Sequence, residues 1–198
     1  HREALNGRPE LLHSCGRPSV GAAVKVVNPA GVEVPSGKVG EIWLKSDTTM
    51  LGYYNMPELT AANLTDGWVH TGDAGYVDEQ GYLYLKDRLK DMVVSGGENI
   101  YPIEVENVLA QHPAIIDVAV VGIPDEIYGE ALLAFVVLAN GQSLNADTMT
   151  DFCRKHLAGY KIPRQLETIA ELPRNSTGKV LKTTLREPYW QGSERHIG

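Results

Sequence analysis

The chain has 198 residues, 43% of them hydrophobic and 22% charged, enough apolar material to bury a core and too much for intrinsic disorder. Its formal net charge of -7 excludes the basic face with which a nucleic-acid binder displaces counterions from phosphates. The longest unbroken apolar run, Ala131 to Ala139, reaches about half of the roughly 20 residues that a membrane-spanning helix requires.

In chain order, short apolar stretches at Ala22 to Val27 and Glu41 to Leu44 alternate with the turn signals Asn28-Pro29-Ala30-Gly31 and Pro35-Ser36-Gly37. Further short strands are expected at Trp68 to His70, Ala74 to Val77 and Tyr82 to Leu85, the last two joined by the turn Asp78-Glu79-Gln80-Gly81. Residues 1–89 therefore read as a β-rich subdomain. After Asp87 the texture changes, with a strand at Met92 to Ser95 and a helix from Pro102, whose fixed φ suits a first helical turn. That helix turns Val105, Val108 and Leu109 to one face and ends before Pro113. Ile115 to Ile123 and Glu130 to Leu138 are β-branched and read as strands of one sheet. A second helix is expected from Asp147 to Leu157, capped by Asn145 or Asp147, with Met149, Phe152, Cys153 and Leu157 as its core stripe and Asp151–Lys155 as an exposed pair. A final strand completes the order strand, helix, strand, strand, helix, strand. The fold class is α+β, with residues 90–198 forming a small domain whose central sheet is flanked by helices.

Cys15 and Cys153 have neither metal-ligand nor redox-pair spacing, which fits reduced thiols in a cytoplasmic protein. The histidines include no pair at the helical spacing of a zinc site, so no metal ligands are expected, and His112 falls at a helix end that favours a cation. No leader sequence opens the chain, and its first residue is His1, so a longer parent is expected.

Four clusters carry candidate chemistry. His70-Thr71-Gly72-Asp73 places a carboxylate in a loop at a strand end, where it can accept hydrogen bonds from a ribose diol; a turn aspartate capping its own backbone is the plainer alternative. Lys86-Asp87-Arg88-Leu89-Lys90-Asp91 falls between the two regions and fits either a phosphate- or ribose-binding guanidinium beside a hinge or a solvated charge run. Ser95-Gly96-Gly97-Glu98-Asn99 fits a tight turn or close backbone approach by an extended ligand. Pro173-Arg174-Asn175-Ser176-Thr177-Gly178-Lys179 is no P-loop, because Pro173 and Val180 stand where that pattern needs Gly and Ser or Thr. What remains is Lys179 on a flexible, turn-forming loop, either a surface lysine or a point charge that swings onto a phosphate or carboxylate.

Taken together, the clusters resemble in order and wording the acyl-CoA synthetase branch of the adenylate-forming enzymes. The resemblance covers nearly the whole chain. Gly16-Arg17-Pro18 through Gly40-Glu41-Ile42, Gly52-Tyr53-Tyr54-Asn55, and Asp66-Gly67-Trp68 to Asp73 look like the last β subdomain, a partial β-barrel, of that family's large AMP-binding domain. Lys86 to Asp91 looks like its hinge, and residues 90–198 like its small mobile domain.

The resemblance implies that Asp73 and Arg88 bind the nucleotide, that Lys90 is the hinge, and that Gly96, Gly97, Glu98 and Asn99 line the coenzyme A site. Lys179 is implied as the catalytic, nucleotide-contacting lysine. It implies ATP with Mg2+, coenzyme A as co-substrate, and a carboxylic acid, by the wording of residues 94–99 a fatty one, and leaves a homo-oligomer open. The family's phosphate loop, magnesium-linked glutamate and acyl pocket belong upstream of His1, so residues 1–198 alone are expected to be inactive. Many relatives carry a lysine near Val94 or Gly96 that this chain lacks. Two alternatives stay open: an amino-acid adenylation domain that loads a carrier protein, against which no carrier segment follows Arg186, and a noncatalytic module of the same fold.

Overall fold

The computed structural model describes residues 7–191, and the polar tail after Gln191 lies outside them. The chain is strand-rich and α+β, and it divides into two compact units, His1–Leu89 and Lys90–Gly198.

The first unit holds a short 3-10 turn (Pro9–His13), then β1 (Ala22–Val27), β2 (Gly40–Ser46), α1 (Pro57–Asn63), β3 (Leu64–Thr65), β4 (Trp68–Val77) and β5 (Leu83–Arg88). β2 pairs antiparallel with β1 and with β4, and β4 pairs in turn with β3 and β5, giving a sheet that curls into a half barrel. Val26, Val27, Ile42, Trp43 and Ala74 are its buried side chains. The strands expected separately at Trp68 to His70 and Ala74 to Val77 are one continuous β4. Its middle bulges against β2, whose register shifts between Glu41 and Trp43, so the pairing continues across what sequence marks as a break. The Asp78 turn forms as expected, its Oδ1 accepting the Gln80 and Tyr82 N–H groups at 2.9 Å each.

The second unit contains β6 (Val93–Ser95), β7 (Glu98–Ile100), α2 (Pro102–Leu109), β8 (Ile115–Asp125), β9 (Gly129–Leu138), α3 (Ala146–Cys153), β10 (Gln165–Thr168) and α4 (Lys182–Arg186). The hairpin partner β7 and the short α4 were not legible in the sequence. β9 is the organising strand, antiparallel to β8 along its whole length, parallel to β10, and joined to β6 at Ser95 and Gly129.

Strand alternation sends Val120, Leu132, Ala134 and Val136 to one face, where they meet Val105 and Leu109 of α2 and Met149 and Cys153 of α3. Ala119, Val121, Ile123, Ala131, Leu133 and Phe135 face the other way, against Leu172 and Leu185. A strand pair covered on both sides needs near-continuous apolar sequence, which is why β8 and β9 read as apolar runs. Each fully buried Val or Leu contributes about 1.5–3 kcal/mol relative to exposure.

The helix caps show what sequence could and could not fix. Asn145, not Asp147, caps α3, its Oδ1 accepting the Thr148 N–H at 2.8 Å. α3 ends at Cys153 rather than Leu157, because His156 and Lys155 bond back three residues as a tightened turn that still lets Leu157 reach the core. Asp151 pairs with Arg154 at 3.1 Å, not with Lys155. At its helix end His112 Nδ1 accepts the Ala114 N–H at 3.2 Å.

Cys153 is fully buried, and burial pushes its thiol up to about 11, whereas Cys15 is exposed. Because the folded state favours the protonated thiol, this contribution is complete below the ordinary thiol range near 9.0 and is lost as pH rises through about 11. Thiol titration of the native protein should therefore label Cys15 promptly and Cys153 only on unfolding. Denaturant midpoints should fall between pH 9 and 11, and less steeply in Cys153→Ala. Rapid native labelling of both thiols would contradict the packing.

Candidate functional site

In the first unit the candidate residues gather on the β4 bulge. Gly72 takes φ +68, a left-handed conformation that lets three residues of β4 bow out against β2. Thr71 pins one side of the bulge, its Oγ1 donating to the Ile42 carbonyl at 2.7 Å and accepting the Asp73 N–H at 3.1 Å. Glu41 pins the other, with Oε1 accepting the Gly72 N–H at 3.2 Å and Oε2 accepting the Trp43 indole N–H at 2.9 Å. Trp43 stacks on His70 with ring centroids 3.8 Å apart.

Asp73 thus sits within a strand, not in the strand-end loop that the sequence suggested, because the bulge is bridged by the β2 partner. Its cross-strand partner is Arg88, whose Nε lies 2.8 Å from Asp73 Oδ1. The guanidinium also donates to the Thr71 carbonyl at 3.4 Å. The first and second of the four clusters are therefore one constellation, a half-buried carboxylate oriented by an exposed arginine. The sequence motifs contain Glu41 and Thr71 without revealing their roles; a Thr two residues before an Asp was the available signal, while Glu41 is a partner that only strand pairing supplies.

In the second unit, Gly96 and Gly97 are the two central residues of the β6–β7 hairpin, with φ +59 and +85. Two consecutive positive φ values define a primed turn, which side-chain-bearing residues adopt at a cost. The Gly96 N–H donates to the Tyr128 carbonyl at 2.9 Å, and a Cβ on Gly96 would meet the Tyr128 ring at 3.2 Å. Nothing lies within 4 Å of a Cβ on Gly97. Glu98 and Asn99 follow on β7, and all four residues of the turn region are exposed. The Arg164 guanidinium covers the Tyr128 ring at 4.0 Å.

Lys179 is exposed on a hairpin closed by the Arg174–Val180 bridge. The loop is not the loose one expected from sequence: Asn175 Oδ1 accepts from the N–H groups of Thr177 and Lys179 and from the Thr177 hydroxyl at 2.8–3.0 Å. Short polar side chains that bond their own backbone in this way fix a turn. Lys90 lies in the 3-10 turn Leu89–Asp91, where its carbonyl accepts from Arg186 at 3.0 Å and the neighbouring Asp91 pairs with the same guanidinium at 3.3 Å.

The glycine hairpin and the lysine hairpin are not neighbours. The first abuts Gly129, which pairs with Asp125; the second is tied to Asp117 through Arg174. Eight positions of β8 separate Asp117 from Asp125, about 26 Å at roughly 3.3 Å per strand residue. Among the described residues, no cluster of three His, Cys, Asp or Glu side chains could hold a metal, and no helix is long and apolar enough to cross a membrane.

Residues 3–54 match the family model for the AMP-binding enzyme and residues 104–179 that for the AMP-binding enzyme C-terminal domain. A fatty acid–[acyl-carrier-protein] ligase of Streptomyces coeruleorubidus is 45% identical over 94% of this chain and 36% of its own length. A feruloyl-CoA synthase of Amycolatopsis sp is 44% identical over 91% of the chain and 37% of its own. The o-succinylbenzoate CoA synthetase of Bacillus subtilis, solved with its acyl-adenylate intermediate, superposes with a TM-score of 0.84 at 37% identity, over 93% of this chain and 37% of that one. The chain thus spans little more than a third of the length of these relatives. Two family models in sequence order, matched in sequence and in structure by such ligases, make this chain a member of the AMP-binding, adenylate-forming enzyme superfamily.

Proposed function

We propose that the chain belongs to an ATP-dependent acid–thiol ligase, with residues 1–89 as the last β subdomain of its large AMP-binding domain and residues 90–198 as its small mobile domain. The observation that carries this reading is the placement of the lysine and glycine hairpins at opposite ends of one rigid strand pair. A reaction in two steps at one centre is served by such a unit if it turns about Lys90 and presents one end and then the other.

The chemistry calls for both ends. A carboxylate is a poor acyl donor, so its oxygen first attacks the α-phosphorus of ATP, expelling pyrophosphate and leaving an acyl-AMP anhydride. The ammonium of Lys179 stabilises the negative charge that gathers on the substrate carboxylate and α-phosphate. Asp73, held through Oδ1 by Arg88, offers its other oxygen to the ribose hydroxyls. Arg88 contacts ribose or phosphate. In the second step the coenzyme A thiol attacks the acyl carbonyl and AMP departs. Gly96 and Gly97 give the pantetheine arm close passage along the backbone, with Glu98 and Asn99 at the mouth of its channel. Mg2+ accompanies ATP, and we assign its ligands and the acyl pocket to the remainder of the enzyme.

The acid is a carboxylic acid, and a fatty acid is our first choice, in keeping with the Streptomyces relative's name. That name also favours a second reading, in which the acceptor is the pantetheine thiol of a carrier protein. A panel of fatty and aromatic acids, with coenzyme A and a carrier protein as alternative acceptors, separates the two.

Lys179→Ala in the full-length protein should slow acyl-AMP formation by about 10²–10³-fold while leaving thioester formation from supplied acyl-AMP largely intact. Gly97→Val, which strains a positive-φ turn and fills the open space beside it, should do the reverse. Equal loss of both half-reactions in either variant would refute the division of labour.

Asp73→Ala should raise the KM for ATP by about ten-fold or more, the scale of a lost hydrogen bond to a charged group. Initial rates at varied ATP read this directly; an unchanged KM would remove Asp73 from the nucleotide site. Residues 1–198 alone should form no acyl-AMP.

A further inference from the structure

Lys179 acts through a charge at the end of a long side chain, so its backbone must be held in place. Backbone bonds close the hairpin itself: the Asn175 N–H donates to the Lys179 carbonyl at 2.9 Å, and the Leu181 N–H to the Pro173 carbonyl at 2.8 Å. These fix the shape of the hairpin but not its position on the unit. Leu172, buried against the β8–β9 pair, anchors the upstream flank by packing, and one side chain adds a directional polar tie there. Arg174 donates from Nη1 to the carbonyl of Gly178, the residue before Lys179, and from Nη2 to Asp117 Oδ2, both at 2.6 Å.

Asp117 is aimed by its own strand. The β8–β9 register shifts between Ile115 and Asp117, and a bulge re-aims the side chain that follows it. Its Oδ1 accepts the Val118 N–H at 3.1 Å, which leaves Oδ2 for the arginine. The planar fork of a guanidinium reaches a carboxylate and a carbonyl at once, which a lysine ammonium does not reproduce. On the downstream flank, Lys182 pairs at 2.7 Å with Glu106, whose Oε1 also accepts the Val120 N–H at 2.7 Å. Both flanks of the hairpin are thus referred to β8, one at Asp117 and the other at Val120.

We propose that Arg174, braced by Asp117, is a positioning residue for Lys179 and acts on the adenylation step alone. This rests on the reading of Lys179 given above. With one guanidinium nitrogen on the Gly178 carbonyl and the other on Asp117, Arg174 is committed to the protein rather than to a phosphate. Its effect should therefore pass entirely through Lys179.

The test uses the full-length enzyme, with acid-dependent ATP–pyrophosphate exchange and thioester formation from supplied acyl-AMP measured separately. Arg174→Lys keeps the charge but loses the bridge, and Asp117→Asn keeps the Val118 acceptor but loses the charge that draws the guanidinium. Both should lower the exchange kcat between about ten- and a hundredfold, the scale of a misplaced catalytic group, with the KM for ATP and the thioester step within about two-fold of wild type. In a Lys179→Ala background, Arg174→Lys should add no further loss. Unimpaired exchange in both variants, parallel loss of both steps, or full multiplication in the Lys179→Ala background would each overturn the proposal. If Lys179→Ala itself exchanges normally, the assignment of Lys179 fails first and this inference falls with it. If Lys179→Ala is impaired and Arg174→Lys is not, this inference alone fails.

Discussion

The second unit depends on one strand pair, β8 and β9, being dry on both faces. Val120, Leu133, Ala134 and Val136 are wholly excluded from solvent, and helices α2 and α3 cover one side while Leu172 and Leu185 cover the other. Close packing of this kind gives an interior of low compressibility that transmits strain. Each exposed hairpin of the unit takes its position from this pair: the glycine turn through Gly129 and Tyr128, the lysine turn through Asp117 and Val120.

Charge is used at the edges of that core where a backbone group needs fixing. Glu106 is nearly buried, yet it accepts a strand N–H and pairs with Lys182, so its carboxylate is compensated on two sides. Asp91 and Arg186 repeat the device, and the same arginine holds the Lys90 carbonyl. Breaking such a pair by removing one partner strands the other charge, at a cost of about 3–5 kcal/mol where burial is complete. Lys182 and Arg186 stand at the two ends of α4, so this short helix joins the lysine hairpin to the start of the unit. The first unit solves a different problem. Its bulge exposes a carboxylate from inside a sheet, and Thr71 and Glu41 satisfy the peptide groups that the bulge frees.

Much of this was legible in the residues. The apolar runs of β8 and β9, the proline that opens α2, the asparagine before α3 and the turn at Asp78 each rest on local chemistry, and each appears where that chemistry puts it. The differences between sequence pattern and structure share a cause. Glycine interrupts the strand pattern at position 72 and suggests a loop at Asp73, but a partner strand bridges the interruption. Small polar residues suggest a flexible loop before Lys179, but those residues bond to one another. Asp151 met Arg154 instead of Lys155, a choice between two helical spacings that sequence leaves nearly equal.

By itself the sequence determined which segments could be strands or helices, where the chain turns, and which motifs stand in which order, because these follow from side-chain sterics and short-range hydrogen bonding. Only the tertiary structure decided that Asp73 faces Arg88 across a strand, that Glu41 and Asp117 serve residues far from them in sequence, and that the lysine and glycine hairpins lie at opposite ends of one strand pair. Those facts depend on register and on burial shared between distant segments, and no local preference encodes either.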